Sequence, residues 1–180
     1  MNFNIVQNCF RAGDPRVMSR EQGDDPIEQL THDHGHLGAL VQSAAVVLAR
    51  MERAEEMSDE SIDELVHAVE SLRDALLVHF SREEEGLFPF VEAHVPTLRA
   101  QVAQLLADHD AVVARASALI QAAGQAVGTG VGYALCISTY DRFVDVYAAH
   151  AQAEQALLRS VDSALDAEAR KALRTLLEAI

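Results

Sequence analysis

The sequence is short of several things, and each shortage removes a class of protein. Its longest apolar run, Ala44 to Ala49, is far too brief to cross a bilayer, so a soluble chain is expected. The opening MNFNIVQNCF has neither a basic start nor a long apolar stretch, so it does not read as a secretory signal, and the expected location is the cytoplasm. The two cysteines, Cys9 and Cys136, stand far apart and outside any Cys-x-x-Cys pattern; both are expected as free thiols, without a disulfide framework or thiolate zinc site. Basic residues are scarce, 14 Lys and Arg against 28 Asp and Glu, leaving a net charge of −14. No nucleic acid or anionic membrane partner is expected, because both require clustered cations. Nucleotide-binding glycine motifs are missing too. The stretch Gly124 to Gly132 lacks the Lys-Ser/Thr ending of a phosphate loop and follows no strand-like segment, which leaves it as a helix connection.

What the chain does have is helical periodicity. From Asp25 to Ile180 apolar residues recur at helical spacing, with no sustained strand-like alternation, and the class is all-α. Pro26 suits an opening turn, and Glu55-Glu56-Met57-Ser58 interrupts the first pattern, with Ser58 as a fresh helix start. Helix one is expected at roughly 26–54 and helix two from about 59. Pro96 interrupts next, helix three runs from Thr97 to Ala123, and helix four from about Gly132 to Leu165, with Asp166 able to cap a short fifth helix. Long helices with short connections predict an up-down-up-down antiparallel four-helix bundle. The expected division is an irregular N-terminal extension over 1–24 and the bundle over 25–180.

An internal repeat carries the chemistry. Leu30-Thr31-His32-Asp33-His34-Gly35-His36-Leu37 aligns with Leu105-Leu106-Ala107-Asp108-His109-Asp110-Ala111-Val112, and each is followed downstream by His-x-x-x-Glu, as His79 and Glu83 and as His150 and Glu154. The i, i+4 spacing stacks imidazole and carboxylate on one helix face, where they can serve one ion or two adjacent ions. All four histidines share a stripe with apolar residues: His34 with Ile27, Leu30, Leu37 and Val41, His79 with Leu72, Leu76 and Leu87, His109 with Val102, Leu105 and Val112, His150 with Phe143, Val146 and Leu157.

Depth in the bundle gives an independent check. Residues facing each other across antiparallel helices lie equally far from the turn between them. The positions midway between His34 and His79, His79 and His109, and His109 and His150 fall at Glu55–Ser58, at His94-Val95-Pro96 and at Thr129-Gly130, all turns placed on other grounds. One histidine on an apolar face is ordinarily a core residue satisfied by hydrogen bonds. Here that account would have to hold for six residues at once, and it leaves two buried carboxylates with no Lys or Arg on their stripes that clearly compensates them. A metal site formed by His34, His79, Glu83, His109, His150 and Glu154 accounts for all six.

The remaining histidines read differently. His32 and His36 lie about 200° around the helix from His34, so they face away if His34 faces in. Taking them as the ligand pair instead would turn Ala39, Ser43 and Arg50 inward, a poorer stripe. His67 reads as a solvated or rim residue and His94 as part of a helix end. Glu84 and Glu85 continue an acidic run that reads as a solvated face, with Glu84 placed to reach a ligand from outside.

The segment His79-Phe80-Ser81-Arg82-Glu83-Glu84-Glu85-Gly86-Leu87-Phe88-Pro89 resembles the His-Phe-x-x-Glu-Glu-x-x-Leu-Phe-Pro signature of the hemerythrin family, in its bacterial HHE cation-binding branch. The resemblance extends from about Pro26 to Val161. It implies two iron ions, with His34, His79, His109 and His150 supplying nitrogen, Glu83 and Glu154 bridging, and an oxo, hydroxo or water bridge between the irons. Two departures separate the chain from oxygen carriers of that family. Their additional helix-three histidine is replaced by Val113, and their final aspartate, five residues beyond the helix-four histidine, is replaced by Glu154 at four. Tyr147, one turn before His150, has two readings: lining or ligating the iron that lacks an imidazole, or packing in the core.

Imidazole and carboxylate suit iron but also accept zinc or manganese. Three functions stay open from the residues: a module that binds or senses oxygen or nitric oxide or stores iron, an enzyme that reduces peroxide or oxygen, and a bundle whose metal cross-links helices.

Overall fold

The computed structural model describes residues 25–54, 58–126 and 132–180, and among them every regular element is helical. The long helices are α1 (Pro26–Ala54), α2 (Asp59–Arg82), α4 (Arg99–Ala126) and α5 (Gly132–Ala164). Between α2 and α4 lie a π-helical turn (Glu83–Leu87), the short α3 (Phe88–His94) and a 3₁₀ turn (Pro96–Leu98), and α6 (Ala167–Leu177) closes the chain. The extension over 1–24, Cys9 and the connections at 55–57 and 127–131 lie outside the described residues.

The helix starts follow local chemistry. Asp25 Oδ1 accepts from the Ile27 amide at 2.8 Å, and Pro26 fills the first position of α1, where its missing N–H costs nothing. The Ser58 hydroxyl accepts from Ser61 N at the head of α2, and Asp166 Oδ1 accepts from Ala169 N at the head of α6. α4 continues past Ala123 through Gly124 to Ala126, so the glycine expected to open the loop lies in the last turn of a helix. Its exposed position, with nothing within 4 Å of an added Cβ, costs the helix only about 1 kcal/mol relative to alanine.

The π turn has no counterpart in the sequence pattern. Phe88 N–H bonds to the Glu83 carbonyl, five residues back, immediately before Pro89. In a regular α-helix that proline would lack its donor and its ring would collide with the carbonyl of Glu85. The wider turn relieves this and lets the helical path run on to His94. Such single turns are frequent at functional sites.

The four long helices pack in chain order, each on the next and α5 back on α1, and α6 lies against α1 and the π turn. Two apolar clusters fill the interior. One gathers Leu37 to Met51, Ile62 to Phe80, Val112 to Ala123 and Cys136 to Tyr147; the other gathers Ile27, Leu30, Leu87 to Val91, Leu98 to Leu105, Leu157 to Leu165, Leu173 and Leu177. Where the two clusters meet, the buried polar side chains of the described residues are His34 on α1, His79 on α2 with Glu83 at the start of the π turn, His109 on α4, and His150 with Glu154 on α5. Among the described residues no helix is long and apolar enough to cross a membrane.

Candidate metal centre

Among the described residues, those six are the buried polar or charged side chains of the core, with Glu83 and Glu154 entirely enclosed. They form two groups whose potential ligand atoms lie within 4.8 Å of one another: His34, His79 and Glu154, and Glu83, His109 and His150. The repeat is therefore crossed. Each half of the chain brings two imidazoles to one group and its carboxylate to the other, which pairing by i, i+4 spacing alone does not reveal.

Both carboxylates also reach across. Glu154 Oε2 lies 2.7 Å from His34 Nε2 and 3.6 Å from Nε2 of both His79 and His150. Glu83 Oε2 lies 3.2 Å from His109 Nε2 and 3.7 Å from His79 Nε2. Each glutamate thus touches imidazoles of both groups, the placement a bridging carboxylate needs.

Most of these atoms have no hydrogen-bond partner. Nε2 of His79, His109 and His150, both Glu83 oxygens and Glu154 Oε1 are buried and unsatisfied. Burying an unpaired carboxylate costs on the order of several kcal/mol, a cost that a positive ion among these atoms would offset. Among the described residues, the nearest arginine in sequence, Arg82, turns instead to Asp33 of α1. The donor set, imidazole nitrogen plus carboxylate oxygen, fits a divalent or trivalent transition-metal ion.

The electrostatics agree. Burial, then the facing Glu154 carboxylate, raises the Glu83 pKa well above its ordinary value. Burial would raise Glu154 too, but the hydrogen bond from His34 and the neighbouring His79 imidazole hold it well below. Burial lowers the His109 pKa and brings His150 to about 4, which keeps these imidazoles neutral and their lone pairs available for coordination.

Aromatic rings from the motif pack the site. Phe80, next to His79, stacks on the His109 ring at 3.8 Å and 6°, and Phe88 lies on the same ring at 5.5 Å. Tyr147 is buried in the first apolar cluster with its ring stacked on Phe143 at 5.7 Å. Val113 is half-buried against the same cluster. His32, His36 and His67 are exposed, and His94 bonds through Nδ1 to the Phe90 carbonyl at the end of α3. Glu84, from the acidic run, turns back to the site: its Oε1 lies 2.6 Å from His109 Nδ1.

A helical bundle whose core is interrupted by paired His/His/Glu groups defines a cation-binding domain. Residues 25–158 match the model of the hemerythrin HHE cation-binding domain, and the chain belongs to that family. Comparison with curated proteins and with solved structures gives no match.

Proposed function

We propose that the chain holds two iron ions, one at His34, His79 and Glu154 and one at Glu83, His109 and His150, bridged by the carboxylates, and uses them to bind, sense or react with oxygen, nitric oxide or peroxide. The domain is read as an up-down-up-down antiparallel bundle over 25–180, a reading supported by the common depth of the four histidines. The carrying observation is the set of buried, unsatisfied nitrogen and oxygen atoms facing one another from both halves of the chain. Neutral imidazoles and carboxylates also accept zinc or manganese; iron is preferred because the family resemblance implies it.

Bound iron supplies Lewis acidity and electron transfer that side chains cannot. The protein holds six ligands at fixed depth, keeps His109 and His150 neutral, and seals the centre between two apolar clusters. Each group offers three protein ligands, and Val113 supplies none where oxygen carriers have an imidazole, so positions are left for small reactants. This favours reaction over reversible carriage, with reduction of peroxide or oxygen as the enzymatic form of the same reading. The net charge of −14 supports neither nucleic acid nor anionic membrane as partner, and a cytoplasmic setting suits the free thiol of Cys136.

Metal analysis with optical spectra tests this. The iron-loaded protein is expected to carry about two ions per chain, since six ligands exceed one four-coordinate ion. The reduced form is expected to oxidise in air without releasing oxygen under vacuum, and to respond to peroxide and nitric oxide. A single ion at full loading defeats the dinuclear reading; repeated reversible oxygen release restores carriage.

A further inference from the structure

Of the four histidines at the centre, His109 has a carboxylate partner beyond the two ligand groups. The Nδ1 atoms of His34, His79 and His150 have no hydrogen-bond partner among the described residues, whereas His109 Nδ1 lies 2.6 Å from Glu84 Oε1. That is a short, charge-assisted bond. An ionised carboxylate can only accept, so Nδ1 carries the proton and Nε2 is left as a bare lone pair. That nitrogen faces Glu83 Oε2 at 3.2 Å.

Consecutive residues thus stand at the two nitrogens of one ring, Glu84 bonded at Nδ1 and Glu83 facing the unbonded Nε2. Successive side chains on a regular α-helix diverge by about 100°; here both stand at the opening of the π turn. Phe80 covers the face of the same ring and Phe88 lies against it, so the imidazole cannot turn without losing these contacts. The other group differs. His34 Nε2 is already engaged with Glu154 Oε2 at 2.7 Å, and that bond must break before the nitrogen can take an ion.

We infer that Glu84 is a positioning residue for His109, and that it makes Glu83, His109 and His150 the group that takes up the first of two ions. The inference rests on the dinuclear reading above. An outer carboxylate on a ligating imidazole fixes its tautomer and raises its basicity, and its loss typically weakens metal binding about 10–100-fold. Glu84 is 42 % exposed at its side chain, so replacing it leaves the core packing in place.

The test is a cobalt(II) titration of the metal-free full-length chain, followed by visible absorption, on wild type, Glu84→Ala and Glu84→Gln. Wild type is expected to bind in two resolved steps. Glu84→Ala should weaken the first about 10–100-fold and leave the second unchanged. Glu84→Gln, whose amide oxygen still accepts from Nδ1–H, should recover much of the affinity but with a shifted first-step band, because the imidazole is less basic. Circular dichroism and melting of the metal-free variants report folding separately. Equal weakening of both steps, or wild-type behaviour in Glu84→Ala, overturns the inference. Failure of wild type to bind two ions defeats the underlying reading, and is seen without any variant.

Discussion

His34, His79 and Glu154 form a group partly satisfied before any ion arrives, because one imidazole already donates to the carboxylate. Glu83, His109 and His150 have the same composition and the opposite condition. Both Glu83 oxygens are orphaned, while His109 is held from outside by Glu84. The contrast recurs in the aspartates of the repeat: Asp33 pairs with Arg82 across to α2, whereas Asp108 accepts from Gln104 on its own helix. A sequence repeat therefore need not give two equivalent sites. The first group is held by a bond that metal must displace, and the second, on the inference above, is readied by the hold of Glu84 on His109.

The most severe way to break the comparison is to remove one imidazole from each group. His34→Ala and His109→Ala are each expected to lower metal content from about two ions per chain toward one, whereas His32→Ala and His36→Ala, on the exposed face of α1, leave it unchanged. Elemental analysis after controlled loading decides this. Loss of metal in His32→Ala with retention in His34→Ala would mean that the wrong face of α1 carries the ligand.

The carboxylates separate the groups more finely in metal-free protein. At neutral pH Glu154→Gln is expected to destabilise by roughly 1.5–3 kcal/mol, the value of a hydrogen bond to a charged group. Glu83→Gln is expected to stabilise the same state, while both variants weaken metal binding. The pH dependence follows from the direction of each shift. The folded pKa of Glu154 is depressed, so its contribution is present above about 4.5 and is lost as pH falls toward the folded value. That of Glu83 is raised, so its ionisation costs stability increasingly as pH rises above 4.5 through the folded value. The Glu83→Gln advantage should therefore vanish in acid. Denaturant melts with chelator at several pH values would show it, and equal signs for the two variants would erase the proposed asymmetry.

The smallest effect is expected at Gly86, in the π turn. A Cβ there would meet Leu177 Cδ2 at 2.6 Å and Ile180 Cδ1 at 2.9 Å, both the far ends of flexible side chains. Gly86→Ala sets crowding of about 1–3 kcal/mol against a gain of about 0.5–1 kcal/mol in backbone preference, so a net loss of at most about 2.5 kcal/mol is expected. A loss well beyond that in thermal melting would show that α6 cannot yield.

Helix positions, the caps at Ser58 and Asp166, and the inward turn of His34 rather than His32 and His36 were all legible, because apolar periodicity records which face is buried. Periodicity does not record how two helices rotate relative to a third. The crossed partnership of Glu83 with His109 and His150, and of Glu154 with His34 and His79, therefore had to be seen in three dimensions. The π turn was hidden for a related reason: Pro89 sits inside a continuous apolar pattern, and the widened turn that accommodates it has no spacing of its own. Glu84 stood out from its acidic run as able to reach a ligand from outside, but which imidazole it reaches carries no signature in a charge run.

The crossing of the repeat also has a meaning in time. A nascent chain emerges from its N-terminus, and by the end of α4 it has produced His34, His79, Glu83 and His109. Neither group of three is complete until α5 delivers His150 and Glu154. An ion that needs a full set of ligands can settle only when the last long helix has docked, so loading of the centre marks the finished bundle and joins the first-made part of the chain to the last.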